Sequence, residues 1–245
     1  MNEVDFVRIT TIVDNSAWKK ELASIWGLSF YFEFIVGNKK HAGLMDTSGS
    51  VSAFLRNASK LGLNLFEVDS VFISHWHSDH FGALTKLLSL LKPQTNVYVP
   101  SENTFAFKQI RGCGAVLRIC SKPIEFISGI MSTGEMSNGI QEHSLLINVK
   151  NKGLVILVGC SHPGIIKILK RAQKVSGVEK IFAVMGGFHI SSINEGMKVG
   201  RFLRDVDVKL VSPCHCTSVK AKKGIAKVVG GRYVKNGSGK IIVFS

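Results

Sequence analysis

Two kinds of hydrophobic pattern alternate along the chain, strand-like runs and segments with helical spacing. Val7–Val13 and Leu28–Val36 alternate or run apolar and are rich in β-branched and aromatic side chains, as β-strands are. Ser50–Leu61 instead repeats its apolar side chains at helical spacing, and it is followed by Gly62, a residue type that commonly ends helices. The first quarter of the chain therefore predicts strands followed by a helix.

The same alternation continues through the rest of the chain. It predicts further strands over Ala42–Asp46, Val71–Ser74, Asn96–Val99, Ser144–Val149, Leu154–Val158, Ile181–Met185 and Val208–Ser212. It predicts further helices over Phe81–Leu91, Ile165–Val175 and Asn194–Asp205. Because strands and helices interleave, we expect an α/β protein, an αββα sandwich of two mixed β-sheets flanked by helices with the chemistry on one rim. No linker or internal repeat interrupts the pattern, so residues 1–245 are expected to form one domain.

Composition supports a folded protein and adds a strong charge bias. Hydrophobic residues make up 45% of the chain, which is typical of globular proteins. No apolar run reaches the roughly 18 residues that cross a bilayer, and the N-terminus lacks the features of a signal peptide. We therefore expect a cytoplasmic protein that does not bind a membrane.

The formal net charge of +14 favours anionic partners. A phosphorylated small molecule is the preferred partner, and nucleic acid is the weaker alternative, because the basic residues are scattered without interleaved aromatic side chains. A lysine-rich solvated surface explains the same charge without any partner. The sequence leaves the oligomeric state open, a homo-oligomer included.

The segment from Ser74 to Gly82 concentrates polar chemistry between two apolar segments. It holds His75, His77, Asp79 and His80, three imidazoles and a carboxylate within six residues. Burying such groups is costly unless they share a partner, and imidazole with carboxylate suits zinc, iron or manganese. Strand-like spacing places His75 and His77 on one side for a first metal, and the following turn presents Asp79 and His80 to a second. The segment therefore predicts a dinuclear metal site.

His75-Trp76-His77-Ser78-Asp79-His80 resembles the His-x-His-x-Asp-His signature of the metallo-β-lactamase superfamily. Further segments resemble one branch of it, the archaeal and bacterial proteins that include the dihydropterin ribofuranosyl-aminobenzene-phosphate synthase of methanopterin biosynthesis. These segments are Thr11–Asn15, Trp26–Phe30, Asp46–Gly49, Thr133–Glu135, Gly159–His162, Gly186–His189 and Pro213–Thr217. The resemblance implies the metallo-β-lactamase fold and two divalent metal ions, with zinc preferred over iron or manganese.

The resemblance also implies the remaining ligands. His215, in Pro-Cys-His-Cys-Thr, is expected to join Asp79 and His80 on the second metal. Cys160 stands where the superfamily carries a bridging aspartate, so it is either a thiolate ligand or a small buried residue. His162 is favoured over His143 as the third ligand of the first metal, and the other of the two can contact the substrate.

Four further residues are expected to complete the site. His189 follows two glycines, which we expect to let the backbone approach a ligand; His189 then contacts a substrate phosphate or acts as a general acid, the alternative being a hydrogen-bonding loop histidine. Asp46 resembles the carboxylate that orients a metal-bound imidazole from behind, with a plain turn aspartate as the alternative. Asp14 and Asn15 can order the rim in a similar way.

The predicted function is a metal-dependent hydrolase or transferase acting on a phosphorylated small molecule. The branch resemblance implies a transfer in which an arylamine displaces pyrophosphate from a hydroxymethyl-dihydropterin pyrophosphate. The alternatives are a phosphodiesterase or nuclease and a lactone or ester hydrolase, since a dinuclear centre activates water for each. A non-catalytic protein that uses metals structurally is disfavoured, because the first motif lacks none of its ligands.

Overall fold

Fifteen β-strands and seven α-helices follow one another in the computed structural model, which describes residues 1–245. The strands of the first half are β1 (Phe6–Val13), β2 (Ser29–Val36), β3 (Lys39–Met45), β4 (Val68–Phe72), β5 (Asn96–Val99) and β6 (Val116–Ile119). Those of the second half are β7 (Ile124–Ile127), β8 (Ile130–Ser132), β9 (Met136–Asn138), β10 (Ile140–Glu142), β11 (Leu145–Val149), β12 (Gly153–Val158), β13 (Ile181–Gly187), β14 (Leu210–Cys214) and β15 (Ile241–Phe244). The helices are α1 (Val51–Lys60), α2 (Ser78–Phe81), α3 (Leu84–Leu88), α4 (Thr104–Gly112), α5 (Ile165–Ser176), α6 (Ile193–Asp205) and α7 (Val219–Val229).

Two mixed sheets pack face to face. One has seven strands in the order β15-β1-β2-β3-β4-β5-β6, and the other has six in the order β14-β13-β12-β11-β8-β7. Alternate side chains divide between the faces of each strand: Val155 and Leu157 of β12 join the core between the sheets, whereas Leu154 and Ile156 join the core under the helices.

Each sheet buries its outer face under helices. One apolar cluster joins the seven-stranded sheet to α1, α3 and α4, and another joins the six-stranded sheet to α5, α6 and α7. The predicted αββα sandwich is therefore confirmed. No helix is both long and apolar enough to cross a membrane.

Parallel strands bring distant segments to one edge. β3, β4, β5 and β6 run parallel to one another, as do β12, β13 and β14. β1 pairs antiparallel with β2, and β2 antiparallel with β3, so β1 also ends on the edge where β3 ends. The segments that follow these strands contain every residue of the site described below except Glu142, which ends β10.

Most predicted elements are confirmed to within a few residues, and two predictions need correction. The predicted helix over Phe81–Leu91 is two short helices, α2 and α3, and α2 already begins at Ser78. The break lies at Gly82, whose Cα faces Gly49 so closely that a Cβ there would lie 3.1 Å from the Gly49 Cα and 2.5 Å from the Ser78 carbonyl oxygen. The sequence pattern also missed α4, α7, β15 and β6–β10, and these strands have only three or four residues each, too few to show a clear period.

Candidate metal centre

Two groups of metal-binding side chains meet at the shared edge. In the first group, His75 and His77 leave the end of β4 and His162 leaves the end of β12, and their ligand atoms lie within 4.8 Å of one another. The His75 Nε2 is 3.1 Å from the His77 Nδ1. The His162 ring centroid is 4.7 Å from that of His75 and 4.9 Å from that of His77. The structure thus brings together three of the predicted ligands.

The second group contains Asp79, His80 and His215, from the first turn of α2 and the end of β14. The His80 Nε2 and the His215 Nε2 are 3.1 Å apart. The Asp79 Oδ2 lies 3.3 Å from the His215 Nε2 and 3.7 Å from the His80 Nε2. The rings of His75 and His80 stack at 4.1 Å, so the two groups adjoin.

Hydrogen bonds behind the rings fix which imidazole nitrogen carries the proton. Asp46 accepts from the Nδ1–H of His80 at 2.6 Å and from the hydroxyl of Ser74 at 2.8 Å. Because Ser74 gives its proton to Asp46, its oxygen accepts from the Nδ1–H of His75 at 2.9 Å. Both imidazoles therefore turn an unprotonated Nε2 toward the cluster. Asp46 thus contacts the His80 imidazole directly and the His75 imidazole through the Ser74 hydroxyl, as a carboxylate that orients metal-binding imidazoles would.

A second carboxylate does the same for His162. The buried Glu142 accepts the His162 Nδ1–H at 2.8 Å and the backbone N–H groups of Cys160, Ser161 and His162 at 2.8–3.0 Å. It thereby holds the whole loop that presents Cys160 and His162. Glu142 was not predicted as part of the site, and the available signal was its position at a strand end before a buried hairpin.

Asn15 and Asp14 hold His215 from behind. The Asn15 Oδ1 accepts the His215 Nδ1–H at 3.0 Å, and the Asp14 Oδ1 accepts the His215 backbone N–H at 2.7 Å. Asp46, Ser161, His189 and His215 all have positive φ, a conformation that costs energy in residues other than glycine and that clusters at functional sites. The backbone is strained where it delivers the polar groups.

Electrostatics shifts the pKa values of the facing imidazoles in both directions. Burial and the neighbouring imidazoles lower the pKa of His75, and burial lowers those of His77 and His215. Burial opposes protonation of His80 as well, yet its pKa is raised, because the Asp46 carboxylate lies against it. Partial burial raises the pKa of Asp79, but the His215 hydrogen bond and the two nearby imidazoles bring it down to about 2. The Nε2 atoms whose rings donate from Nδ1 converge with an ionised carboxylate, and this donor set fits divalent cations.

Two cysteines lie beside the cluster. The Cys160 Sγ is 3.3 Å from the His80 Nε2 and belongs to a group with His75 and His80. The neighbouring Cys216 sulfur and burial keep the pKa of the Cys160 thiol above its ordinary value. The Cys216 thiol points to the Cys160 carbonyl oxygen at 3.6 Å. Cys216 was not predicted, although it stands next to His215 in the sequence.

His143 lies outside the cluster. Its Nε2 is 2.8 Å from the Ile73 carbonyl oxygen, its Nδ1 is 2.9 Å from the Ser132 hydroxyl, and its ring stacks on Phe72 at 3.9 Å. Both nitrogens are therefore engaged inside the core. The structure places His162, and not His143, beside His75 and His77.

His143 should make stability depend on pH. Burial lowers its pKa to about 3, whereas the unfolded chain titrates near the ordinary 6.5. The unfolded state therefore takes up a proton below pH 6.5 that the folded state refuses until pH 3. The stabilisation is present in full above pH 6.5, and we expect up to about 5 kcal/mol of unfolding free energy to be lost as the pH falls across that window. Urea denaturation of chelator-treated protein should show a shallower pH slope in His143→Gln, and an unchanged slope would contradict this assignment.

His189 lies at the mouth of the cluster, exposed, with its ring 4.8 Å from that of His162. Partial burial and the His162 imidazole lower its pKa, so it is neutral at pH 7. The two preceding glycines do not make room for a ligand as expected. A Cβ on Gly186 would lie 2.0 Å from the Val158 carbonyl oxygen, and one on Gly187 would lie 2.5 Å from the Cys216 Sγ, so neighbouring protein atoms fill that space.

The chain is similar in sequence and in fold to known proteins. The sequence model of the metallo-β-lactamase superfamily matches residues 34–118. A 7,8-dihydropterin-6-methyl-4-(β-D-ribofuranosyl)-aminobenzene-5'-phosphate synthase from Methanocaldococcus jannaschii is 27% identical over 100% of this chain and 99% of its own. The crystal structure of a metal-dependent hydrolase of the β-lactamase superfamily superposes with a TM-score of 0.75 at 24% identity, covering 96% of this chain and 98% of its own. Human tRNase Z, short form, superposes at 0.60 with 12% identity, covering 96% and 98%.

Proposed function

Because the chain belongs to the metallo-β-lactamase superfamily, we propose that its histidine clusters bind two divalent metal ions and that it is a transferase acting on a phosphorylated small molecule. The specific reaction is the joining of an arylamine to a dihydropterin methyl group with release of pyrophosphate. The observation that supports the metal centre best is the hydrogen-bonded Nδ1 of His75, His80, His162 and His215, which leaves each Nε2 as a free lone pair. The choice of substrates follows from the full-length similarity to the archaeal synthase.

His75, His77 and His162 would hold one metal, and Asp79, His80 and His215 the other, with Cys160 between them. When bound, two such ions supply Lewis acidity, which stabilises the negative charge of a leaving phosphate group or activates water at neutral pH. Imidazole with carboxylate suits zinc, iron or manganese, and a thiolate shifts the preference to zinc.

The proposed transfer needs only the two substrates, the arylamine and the pterin pyrophosphate. The arylamine nitrogen forms a bond to the methylene carbon of the pterin, and the bond from that carbon to the pyrophosphate oxygen breaks. Pyrophosphate leaves with the electron pair, and the nitrogen gives up one proton. His189 accepts that proton in our proposal, because it is neutral at pH 7 and stands exposed at the mouth of the cluster.

Zinc-loaded protein tests this function directly. It should convert hydroxymethyl-dihydropterin pyrophosphate and an arylamine that carries a ribose phosphate into a coupled product, detected by mass spectrometry, and chelator-treated protein should not. The panel also includes bis-p-nitrophenyl phosphate, a lactone and single-stranded RNA, one for each alternative hydrolytic activity. Turnover of one of these, with no coupled product, would replace the transferase with that hydrolase.

Cys160 should be visible as a metal ligand. Its sulfur lies 3.3 Å from the His80 Nε2, within the group that would hold the metals. Cobalt-substituted protein should therefore show a near-ultraviolet thiolate-to-cobalt charge-transfer band, because a coordinating thiol loses its proton. The band should disappear in Cys160→Ser and persist in Cys216→Ser. The opposite pattern, or no band in the unaltered protein, would exclude Cys160 as a ligand.

A further inference from the structure

Two cavities adjoin the histidine cluster, one lined by His162 and the other by His215. The larger, of about 440 Å³, is bounded by α5, α6 and the loop of His162. The smaller, of about 370 Å³, is bounded by Trp26 and the loop of His215. His189 and Ile190 line both of them. The cluster and His189 therefore adjoin two separate cavities. A hydrolase needs only one cavity for an organic substrate, because its second reactant is water.

The smaller cavity has an exposed indole as one wall. Trp26 is 64% exposed, and its ring lies 5.0 Å from that of His215. The chain around it is fixed, since the Gly27 N–H donates to the Asn15 Oδ1 and the Leu28 N–H donates to the Asp79 carbonyl oxygen. The apolar surface of this anchored tryptophan stays in contact with water unless a ligand covers it. A flat aromatic ring covers an indole best.

The larger cavity carries an excess of positive charge. Lys167 of α5 and Lys198 of α6 line it, and neither forms an ion pair with any carboxylate of the chain. Glu195 is the acidic residue of the lining, and its carboxylate is occupied by the N-terminal cap of α6, where it accepts from Ser191 and Ser192. The free charges of two lysines beside apolar walls fit a phosphate on an organic body.

We infer that the two cavities bind two organic substrates at the same time, a planar heteroaromatic ring on Trp26 and a phosphate monoester on Lys167 and Lys198. The reacting ends of both meet beside His189. This inference rests on the proposed function and deepens it, because it assigns the phosphate of the arylamine substrate to a site remote from the reacting atoms.

Two probes test the inference on zinc-loaded protein without turnover. The ring probe is 6-hydroxymethylpterin, followed by its fluorescence, and the phosphate probe is ribose 5-phosphate, followed by calorimetry. Trp26→Ala should weaken pterin binding about tenfold, and Trp26→Phe should weaken it less, because a ring remains. Lys167→Gln with Lys198→Gln should weaken ribose 5-phosphate binding on the order of tenfold and change pterin binding less than about twofold. Lys174→Gln with Lys227→Gln removes the same charge outside both cavities and should leave both affinities unchanged.

A competition experiment tests whether the two probes bind at the same time. Saturating ribose 5-phosphate should not displace the pterin, and both should bind in one ternary complex. Competition between the probes, or phosphate binding that is insensitive to the two lysines, would overturn the inference. If the activity panel gave no coupled product, only the proposed transferase activity would be refuted. The two binding sites would still be tested, because the binding experiments need no reaction.

Discussion

Replacing Asp79 with asparagine is expected to lower turnover on the order of 10³-fold and to reduce bound zinc from two ions to one. The carboxylate is ionised at all ordinary pH values, since its pKa is about 2, and its Oδ2 faces the Nε2 of both His80 and His215. Asparagine keeps the shape of the side chain and removes its charge. The second site then has two neutral imidazoles for a divalent cation, too little to hold the ion or to balance its charge.

The fold should survive this change, because the structural contacts of Asp79 are made by its backbone. Its carbonyl oxygen accepts the Leu28 N–H at 3.2 Å and its main chain packs on Gly49. Asp69→Asn is the matched control, a surface carboxylate paired with His41 and Lys92. Circular dichroism should show both variants folded, and mass spectrometry of bound metal should separate them. Two zinc ions and full turnover in Asp79→Asn would refute the assignment of Asp79.

The candidate ligands that lie close together in the sequence could be predicted. The choice between candidate histidines far from them in the sequence could not. His75, His77, Asp79 and His80 lie within six residues, so their convergence depends only on a strand end and one helical turn. His162 and His143 both follow strand ends, and the sequence favoured one without deciding. The difference is which ring nitrogens are already bonded, and the Ile73 and Ser132 partners of His143 depend on tertiary packing.

The supporting residues show the same limit. Asp46 was predicted from its resemblance, but its relay through Ser74 requires the register of β3 against β4. Trp26 belonged to a recognised segment, yet its exposure beside His215 depends on a contact with residues nearly 190 positions away in the chain. The helix break at Gly82 has a similar cause, since the glycine is required by Gly49, a neighbour only in the folded chain.

Replacing Glu142 should lower both the stability of the fold and the metal affinity of the first site. Its two oxygens accept three backbone N–H groups and the His162 Nδ1–H, all of them buried or partly buried. Glu142→Ala leaves those donors without a partner, and Glu142→Gln turns an amide NH₂ toward at least one of them. We expect a loss of about 3 kcal/mol or more in unfolding free energy for the alanine variant and less for glutamine. Zinc affinity of the first site should fall about 10- to 100-fold in both, because His162 loses its orientation.

The two effects can be measured separately, which distinguishes positioning from mere destabilisation. Glu125→Gln is the matched control, a carboxylate that accepts backbone N–H groups from Asn2 and Gly129 far from the cluster. It should lose some stability and keep its zinc affinity. Glu142→Gln, studied at a urea concentration where it is fully folded, should bind zinc weakly at one site and normally at the other. Equal weakening at both sites would mean that Glu142 supports the whole edge of the sandwich, whereas normal binding at both would show that the His162 loop holds its geometry without the carboxylate.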